Sequence, residues 1–294
     1  MINKYKICNY CVMDTSDPLI FFDHEGVCNH CKSYREAIPK LPCFSSKAKE
    51  LLDEQISKIK KNKYGKYDCV IGVSGGVDST YLAYVVKKEL GLNPLAIHMD
   101  NGWNSELSVK NVENMVKKLD IDLYTKILDW NEFRDLQLAF LKASTPDSEI
   151  PTDHAILVTL YEVASRHKIK YIISGVNQVT ERIMPPCWSQ GHWDSRYVRS
   201  VYKKFSGKNL KKFPLLSPLK KFYYNKVKRI EFLPLFDYYK FDLAEARNKI
   251  KTELNWKDYG GKHYESIYTK FFQGYILMKK FGFDKRKGRL SNLI

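Results

Sequence analysis

The chain has 294 residues, 44% of them hydrophobic, with 49 Lys and Arg against 33 Asp and Glu, a formal net charge of +16 and a pI near 9.3. That is enough for one large domain or two modest ones around a real core, and the charge draws anions: nucleic acid, nucleotides, phosphorylated sugars or anionic lipid. No run of 18 apolar residues is present, and MINKYKICNYC lacks the apolar stretch of a signal peptide; membrane insertion is not expected, the expected compartment is the cytoplasm, and the seven cysteines are not expected to be disulfides.

Residues 1–44 form a loop-rich N-terminal unit and linker. Cys8, Cys11, Cys28 and Cys31 have the spacing C-x2-C-x16-C-x2-C. Two such knuckles supply the four thiolates of a tetrahedral Zn²⁺ site, and four thiolates leave no open position, so the metal is expected to be structural. Residues 45–62 predict a charged helix, with Ser45 or Ser46 as its cap.

From Tyr67 the texture becomes strand–helix alternation. Residues 68–73 read as a buried strand, 78–90 as a helix, 94–99 as a strand, 105–119 as a helix and 122–128 as a strand. A helix near 131–143 and another over 153–167 follow, then a strand at 170–174. Strands spaced by helices predict an α/β fold, a parallel sheet with helices on both faces, over residues 45–200. Ligands of such a sheet bind beyond the strand ends. The alternation stops after Gly175. Residues 201–294 read as a basic, mainly helical region for substrate or partner. Residues 201–230 carry ten Lys and Arg and no acid, interleaved with Phe and Tyr, and 242–255 look helical again.

The stretch CVIGVSGGVDST places Ser74-Gly75-Gly76-Val77-Asp78-Ser79-Thr80 between a buried strand and a helix. Gly75 and Gly76 permit the sharp turn. Amides of the turn and of the first helical residues can wrap a phosphate chain. Ser74, Ser79 and Thr80 add hydroxyls, and Asp78 suits Mg²⁺ better than phosphate. No Walker A sequence is present. The stretch resembles the PP-loop of the N-type ATP pyrophosphatases, which split ATP between its α and β phosphates. The resemblance implies that strand two ends beside the adenosine, at Asp100, Asn101 and Gly102. Strand four brings Gly175, Asn177 and Glu181 to the same edge, Glu181 as a metal or substrate ligand.

The cysteine knuckles KICNYC and GVCNHC, the PP-loop and the later DYGGKHYESIYTKFFQGY segment together resemble the N-acetyl sugar amidotransferases of bacterial surface-polysaccharide and nonulosonic-acid (pseudaminic-acid type) biosynthesis. Chains of that family usually run on past a segment like RLSNLI, whereas this sequence stops at Ile294. The resemblance implies ATP- and Mg²⁺-dependent conversion of an acetamido group of a nucleotide-linked sugar into an acetamidino group. Ammonia would come from a separate partner resembling the glutaminase of histidine biosynthesis, with a cyclase-like subunit. Residue chemistry suggests a phosphate or sugar-acid contact for Lys262, a proton acceptor in His263 and a metal or sugar ligand in Glu265. Arg182, Arg196 and Arg199 are candidates for substrate oxyanions. Cys187 reads as loop packing before nucleophile. The alternative acceptor is a tRNA base, with the basic aromatic stretch as RNA contact; the second is a nucleotide-binding scaffold without catalysis. Nucleic acid is the less expected partner.

Overall fold

The strand–helix alternation of the sequence becomes one sheet in the computed structural model, which describes residues 5–189, 191–261 and 264–294. After the cysteine knuckles come α1 (Asn29–Ala37), α2 (Ala48–Lys61), β1 (Cys69–Gly72), α3 (Val77–Tyr84), β2 (Pro94–Asp100) and α4 (Glu106–Leu119). Then follow β3 (Asp122–Ile127), α5 (Trp130–Lys142), α6 (Ile150–Arg166), β4 (Tyr171–Ser174), α7 (Gln178–Glu181) and α8 (Ser195–Ser206). The chain closes with α9 (Pro218–Phe222), β5 (Glu231–Pro234), α10 (Leu243–Leu254), α11 (Ile267–Phe271) and α12 (Arg286–Asn292). The five strands are all parallel, in the order β3-β2-β1-β4-β5. This is the expected α/β class. Among the described residues no helix is long and apolar enough to cross a membrane.

Strand alternation divides the core into two layers. Cys69, Ile71, Ala96, Ile173 and Leu233 face α2, α3, α4 and α10, through Ile59, Leu82, Met115 and Ile250. Val70, Leu95, Ile97 and Ile172 face the other way, onto Val158, Tyr161 and Ala164 of α6. The chain leaves β1 toward β2 on one side, while β4 lies on the other. The topological switch therefore falls between β1 and β4, and the loops after these strands part there into a crevice.

Several local expectations shift. The helix expected over 78–90 is α-helical only to Tyr84 and continues as a π-helical turn, Val85–Glu89. Neither Ser45 nor Ser46 caps α2: Ser45 Oγ accepts the Lys47 N–H at 3.2 Å, ahead of the first helical residue, and the helix starts uncapped at Ala48. The fifth strand lies inside the region expected to be basic and helical. Only Leu233 of its four residues is buried, so it carries almost no apolar period.

The first half of the basic stretch is pinned to acids of α5. Glu132 accepts the backbone N–H groups of Lys211 and Lys212 at 2.7 and 2.8 Å. Lys208 reaches Asp135 at 2.8 Å and Lys212 pairs with Asp129.

Candidate active site

The loop after β1 is shaped from outside. Gly75 sits at φ +81°, and a β-carbon there would lie 2.3 Å from the carbonyl oxygen of Ser108 in α4. The Gly75 carbonyl points inward, where buried Trp256 Nε1 donates to it at 2.9 Å and Asn111 Nδ2 at 3.4 Å. A trans peptide is planar, so the Gly76 N–H points the opposite way. There it donates to Ser74 Oγ at 3.3 Å, beside a recess of about 240 Å³ lined by Ser74, Gly76, Val77, Asp78 and Ser79. Ser79 Oγ holds the turn together, accepting the Ser74 N–H at 3.2 Å and donating to the Gly76 carbonyl at 3.3 Å.

The far wall of the recess comes from distant sequence. Glu181 arrives after β4, Arg247 on α10, Tyr259 and Glu265 after it, and Arg289 on α12. Burial depresses the Arg289 guanidinium, and the charges of Asp78 and Glu181 oppose that. Arg247 Nε is buried with no hydrogen-bond partner among the described residues. Burial, then the Glu265 charge, hold the Tyr259 phenol protonated, while the Val77 N–H acts the other way. Glu265 is anchored through its carbonyl, which accepts from Ser105 N at 2.8 Å and Ser108 Oγ at 3.1 Å. Two guanidiniums and the Ser74 and Ser79 hydroxyls suit a phosphate chain; Asp78, Glu181 and Glu265 are the hard oxygen donors that Mg²⁺ takes.

The recess opens into a cavity of about 1240 Å³ with which it shares Ser74, Ser79, Gly175, Glu181, Arg247 and Arg289. His98, Asn101 and Asn104 line the cavity at the end of β2. The His98 Nδ1 lies 3.0 Å from the Val73 carbonyl and so carries the proton; its Nε2 accepts from Asn104 at 3.2 Å. Elsewhere in this cavity stand Glu149, Asp153, Ser189, His192 and Lys285, around the buried Asp147. Lys285 Nζ lies 3.1 Å from Asp147, Ser189 Oγ 2.6 Å, and His192 Nε2 3.5 Å from Asp147 and 3.2 Å from Asp153. Burial pushes the Glu149 carboxyl up, and Gln273 donates to it at 2.8 Å.

Hydrogen bonds to Asp147 and then Asp153 raise the His192 imidazole from 6.5 to about 9. Burial alone would raise Asp147; His192, Lys285 and Ser189 outweigh it and hold that carboxyl well below its usual range. The His192 contribution to stability is therefore full below about pH 6.5 and lost as pH rises through about 9, whereas that of Asp147 is lost only in acid. The protein is expected to lose about 2 kcal/mol across the alkaline window, after allowance for solvent screening. Thermal melts from pH 6 to 10 check this, and His192→Gln should flatten the slope.

Other sequence candidates fall elsewhere. Lys262 and His263 lie outside the described residues. Asp100 and Gly102 do not line the cavity: Asp100 Oδ1 accepts the Gly102 N–H at 2.9 Å, and Gly102 is exposed against Trp130. Thr80 is buried inside α3, and Asn177 is buried with its oxygen accepting the Val179 N–H at 3.0 Å. Arg182 is exposed and bonded to Gln178 at 2.7 Å. Arg196 and Arg199 project into solvent from α8, which turns Ser195, Val198 and Tyr202 inward. Sequence reasoning missed Arg247, Arg289, His98 and the Asp147 group. Only the acid-rich run PDSEIPTD, in so basic a chain, offered a signal for the last.

The four cysteines converge as their spacing predicts. All are buried, and each sulfur lies within 4.8 Å of the others. Cys28 and Cys31 are 3.6 Å apart, Cys11 and Cys28 3.8 Å, Cys8 and Cys31 3.9 Å. A tetrahedron with Zn–S bonds of about 2.3 Å has edges of about 3.8 Å. Backbone N–H groups of Tyr10, Met13 and Cys28 point at the sulfurs at 3.3–3.4 Å. The arrangement is compatible with zinc. Burial raises the Cys187 thiol, which donates to Asp17 at 3.6 Å, an environment that disfavours a nucleophile.

Residues 48–155 match a family model described as NAD synthase, and residues 265–294 one described as LPS biosynthesis protein WbpG-like, C-terminal domain. An uncharacterized protein of Methanocaldococcus jannaschii, MJ1599, is 29% identical over 171 residues, covering 57% of this chain and 58% of that protein. An NH(3)-dependent NAD(+) synthetase of Chlorobium phaeovibrioides is 27% identical over 146 residues, 46% of this chain and 49% of that one. The chain thus spans between about half and three-fifths of the length of these relatives. The solved NH3-dependent NAD synthetase of Campylobacter jejuni aligns over 46% of this chain and 59% of its own, at 18% identity and TM-score 0.34. The family matches support a PP-loop ATP pyrophosphatase-type core followed by a WbpG-like segment.

Proposed function

We propose that the protein is an ATP-dependent amidotransferase that converts an acetamido group of a nucleotide-linked N-acetyl sugar into an acetamidino group, in bacterial surface-polysaccharide or nonulosonic-acid biosynthesis. One observation carries the reading. Ser74, Gly76 and Ser79 of the loop line a recess walled by two arginines and four carboxylates, Asp78, Glu181, Asp258 and Glu265, and that recess runs into a cavity of about 1240 Å³. Single-ligand pockets span about 300–1,000 Å³, so this space suits a nucleotide and a second large substrate together. The NAD synthase and WbpG-like matches support ATP chemistry at one end and a polysaccharide precursor at the other.

The acetamide oxygen attacks the α-phosphorus of ATP, and the bond to the β-phosphate oxygen breaks. The departing diphosphate is held by Arg247 and Arg289, and the Gly76 amide and the Ser74 and Ser79 hydroxyls turn to it from their long contacts within the loop. Asp78 with Glu181 or Glu265 would hold Mg²⁺, which would supply charge neutralisation at the phosphates. Ammonia adds to the activated carbon, one N–H proton is lost, and AMP leaves. The gain is in the leaving group: AMP departs readily where an amide oxygen does not. In this reading the ammonia comes from a separate glutaminase of the histidine-biosynthesis kind, with a cyclase-like subunit. Pairing of Lys208 with Asp135 and of Lys212 with Asp129 engages two ammonium groups of the basic stretch and leaves it less suited to a tRNA acceptor.

Incubation with ATP, Mg²⁺, ammonium and candidate acetamido nucleotide sugars tests the proposal. The expected product is lighter by the difference between an oxygen and an NH group. ATP–pyrophosphate exchange should require the sugar. Exchange dependent on tRNA, or on no acceptor, counts against it.

A further inference from the structure

Helix α9 runs without a break into a π-helical turn, Tyr223–Val227. One side of this helix holds the core: Tyr224 is buried and stacks on Tyr161 at 5.3 Å. The other side is apolar and open. Leu219 is 81% exposed, Phe222 61%, Val227 60% and Tyr223 42%. These positions follow i, i+3, i+4 and i+8, the spacing of one helix face. Basic residues frame it: Lys220, Lys221, Lys226, Lys228 and Arg229. Lys220 pairs with Glu162 at 3.2 Å, and Lys221 covers the half-exposed ring of Trp193 at 4.0 Å. Trp193 packs edge-on against Phe232, which lines the large cavity, so the patch borders the candidate active site.

We propose that this face docks the protein on an anionic phospholipid surface. An apolar helix face framed by lysine fits a helix lying in the plane of a membrane interface. Leu219, Phe222 and Val227 would enter the acyl boundary, the lysine stems would reach back to the phosphates, and Trp193 and Tyr223 suit headgroup depth. RNA fits less well. It needs flat rings and groups for base edges, yet Leu219 and Val227 have no stacking face. The helix's one amide side chain, Asn225, is engaged by the Tyr161 hydroxyl at 2.8 Å. A protein partner also fits less well, because protein interface cores are depleted in lysine, the commonest residue of 218–229.

Sedimentation of the full chain with vesicles of phosphatidylcholine alone, or mixed with phosphatidylglycerol, tests this. Binding is expected to the mixed vesicles and not to the neutral ones, and to weaken with salt. The double variant Leu219→Ser/Phe222→Ser alters only exposed side chains, so its melting temperature should match the parent. Its partitioning should fall by about tenfold or more, and Lys226→Glu should weaken it as well. Equal partitioning of parent and double variant overturns the proposal. So does an absence of vesicle binding, whether accompanied by RNA binding through the same face or by a dimer that the double variant dissociates.

Discussion

Gly75→Ala is expected to abolish ATP–pyrophosphate exchange and to cost about 3 kcal/mol of stability. Two terms add. The residue sits at φ +81°, where a side chain is strained, at about 1 kcal/mol or more. The new β-carbon would also stand 2.3 Å from the Ser108 carbonyl oxygen and 3.1 Å from its α-carbon, both backbone atoms. Ser108 cannot easily yield, since its hydroxyl donates to the carbonyls of Ser105 at 2.8 Å and Glu265 at 3.1 Å. Relief must come from the loop, which would leave Trp256 and turn the Gly76 amide out of the recess. Gly207→Ala is the control: that glycine also has a positive φ, +71°, but nothing lies within 4 Å of its β-carbon position. It should cost about 1 kcal/mol and leave exchange intact. Urea unfolding and exchange assays on both variants separate strain from function. Near-normal exchange in Gly75→Ala would refute the phosphate cradle.

Loss of the thiolate cluster is expected to damage the cleft as well as the N-terminal unit. Metal analysis should find one zinc per chain, and Cys11→Ser or chelation should lower the melting temperature by about 10 °C. The cluster packs on Ile183, Trp188, Tyr268, Phe272 and Phe283, and Trp188 stacks on Phe283 at 4.7 Å. From α1 the Tyr34 hydroxyl donates to the carbonyl of Val179 at 2.7 Å, with that of Asn292 at 3.3 Å, tying α1 to α7 and α12. Asp14 pairs with Lys287 on α12 as well. Glu181 and Arg289 stand on these two helices, so loosening the knuckles should raise the KM for ATP. A cluster without zinc, whose substitution leaves both melting and KM unchanged, would be ordinary core.

The sequence alone determined what depends on neighbours in the chain. Buried apolar runs set β1, β2 and β4, and strand–helix alternation set β3, none of whose residues is buried; paired C-x2-C spacings set the thiolate cluster, and SGGVDST set the turn after β1, because each is a relation within a short stretch of chain. The tertiary structure decided the rest. Residues 231–234 join the sheet although only Leu233 is buried, because the edge beside β4 accepts a strand through its backbone. The Gly75 carbonyl is held by a tryptophan 181 positions away. Arg247 and Arg289 reach the recess from helices far along the chain, while Arg196 and Arg199, nearer in sequence, face solvent. A helix directs each side chain by which of its faces is buried, and that choice is made by packing between distant segments, not by local spacing.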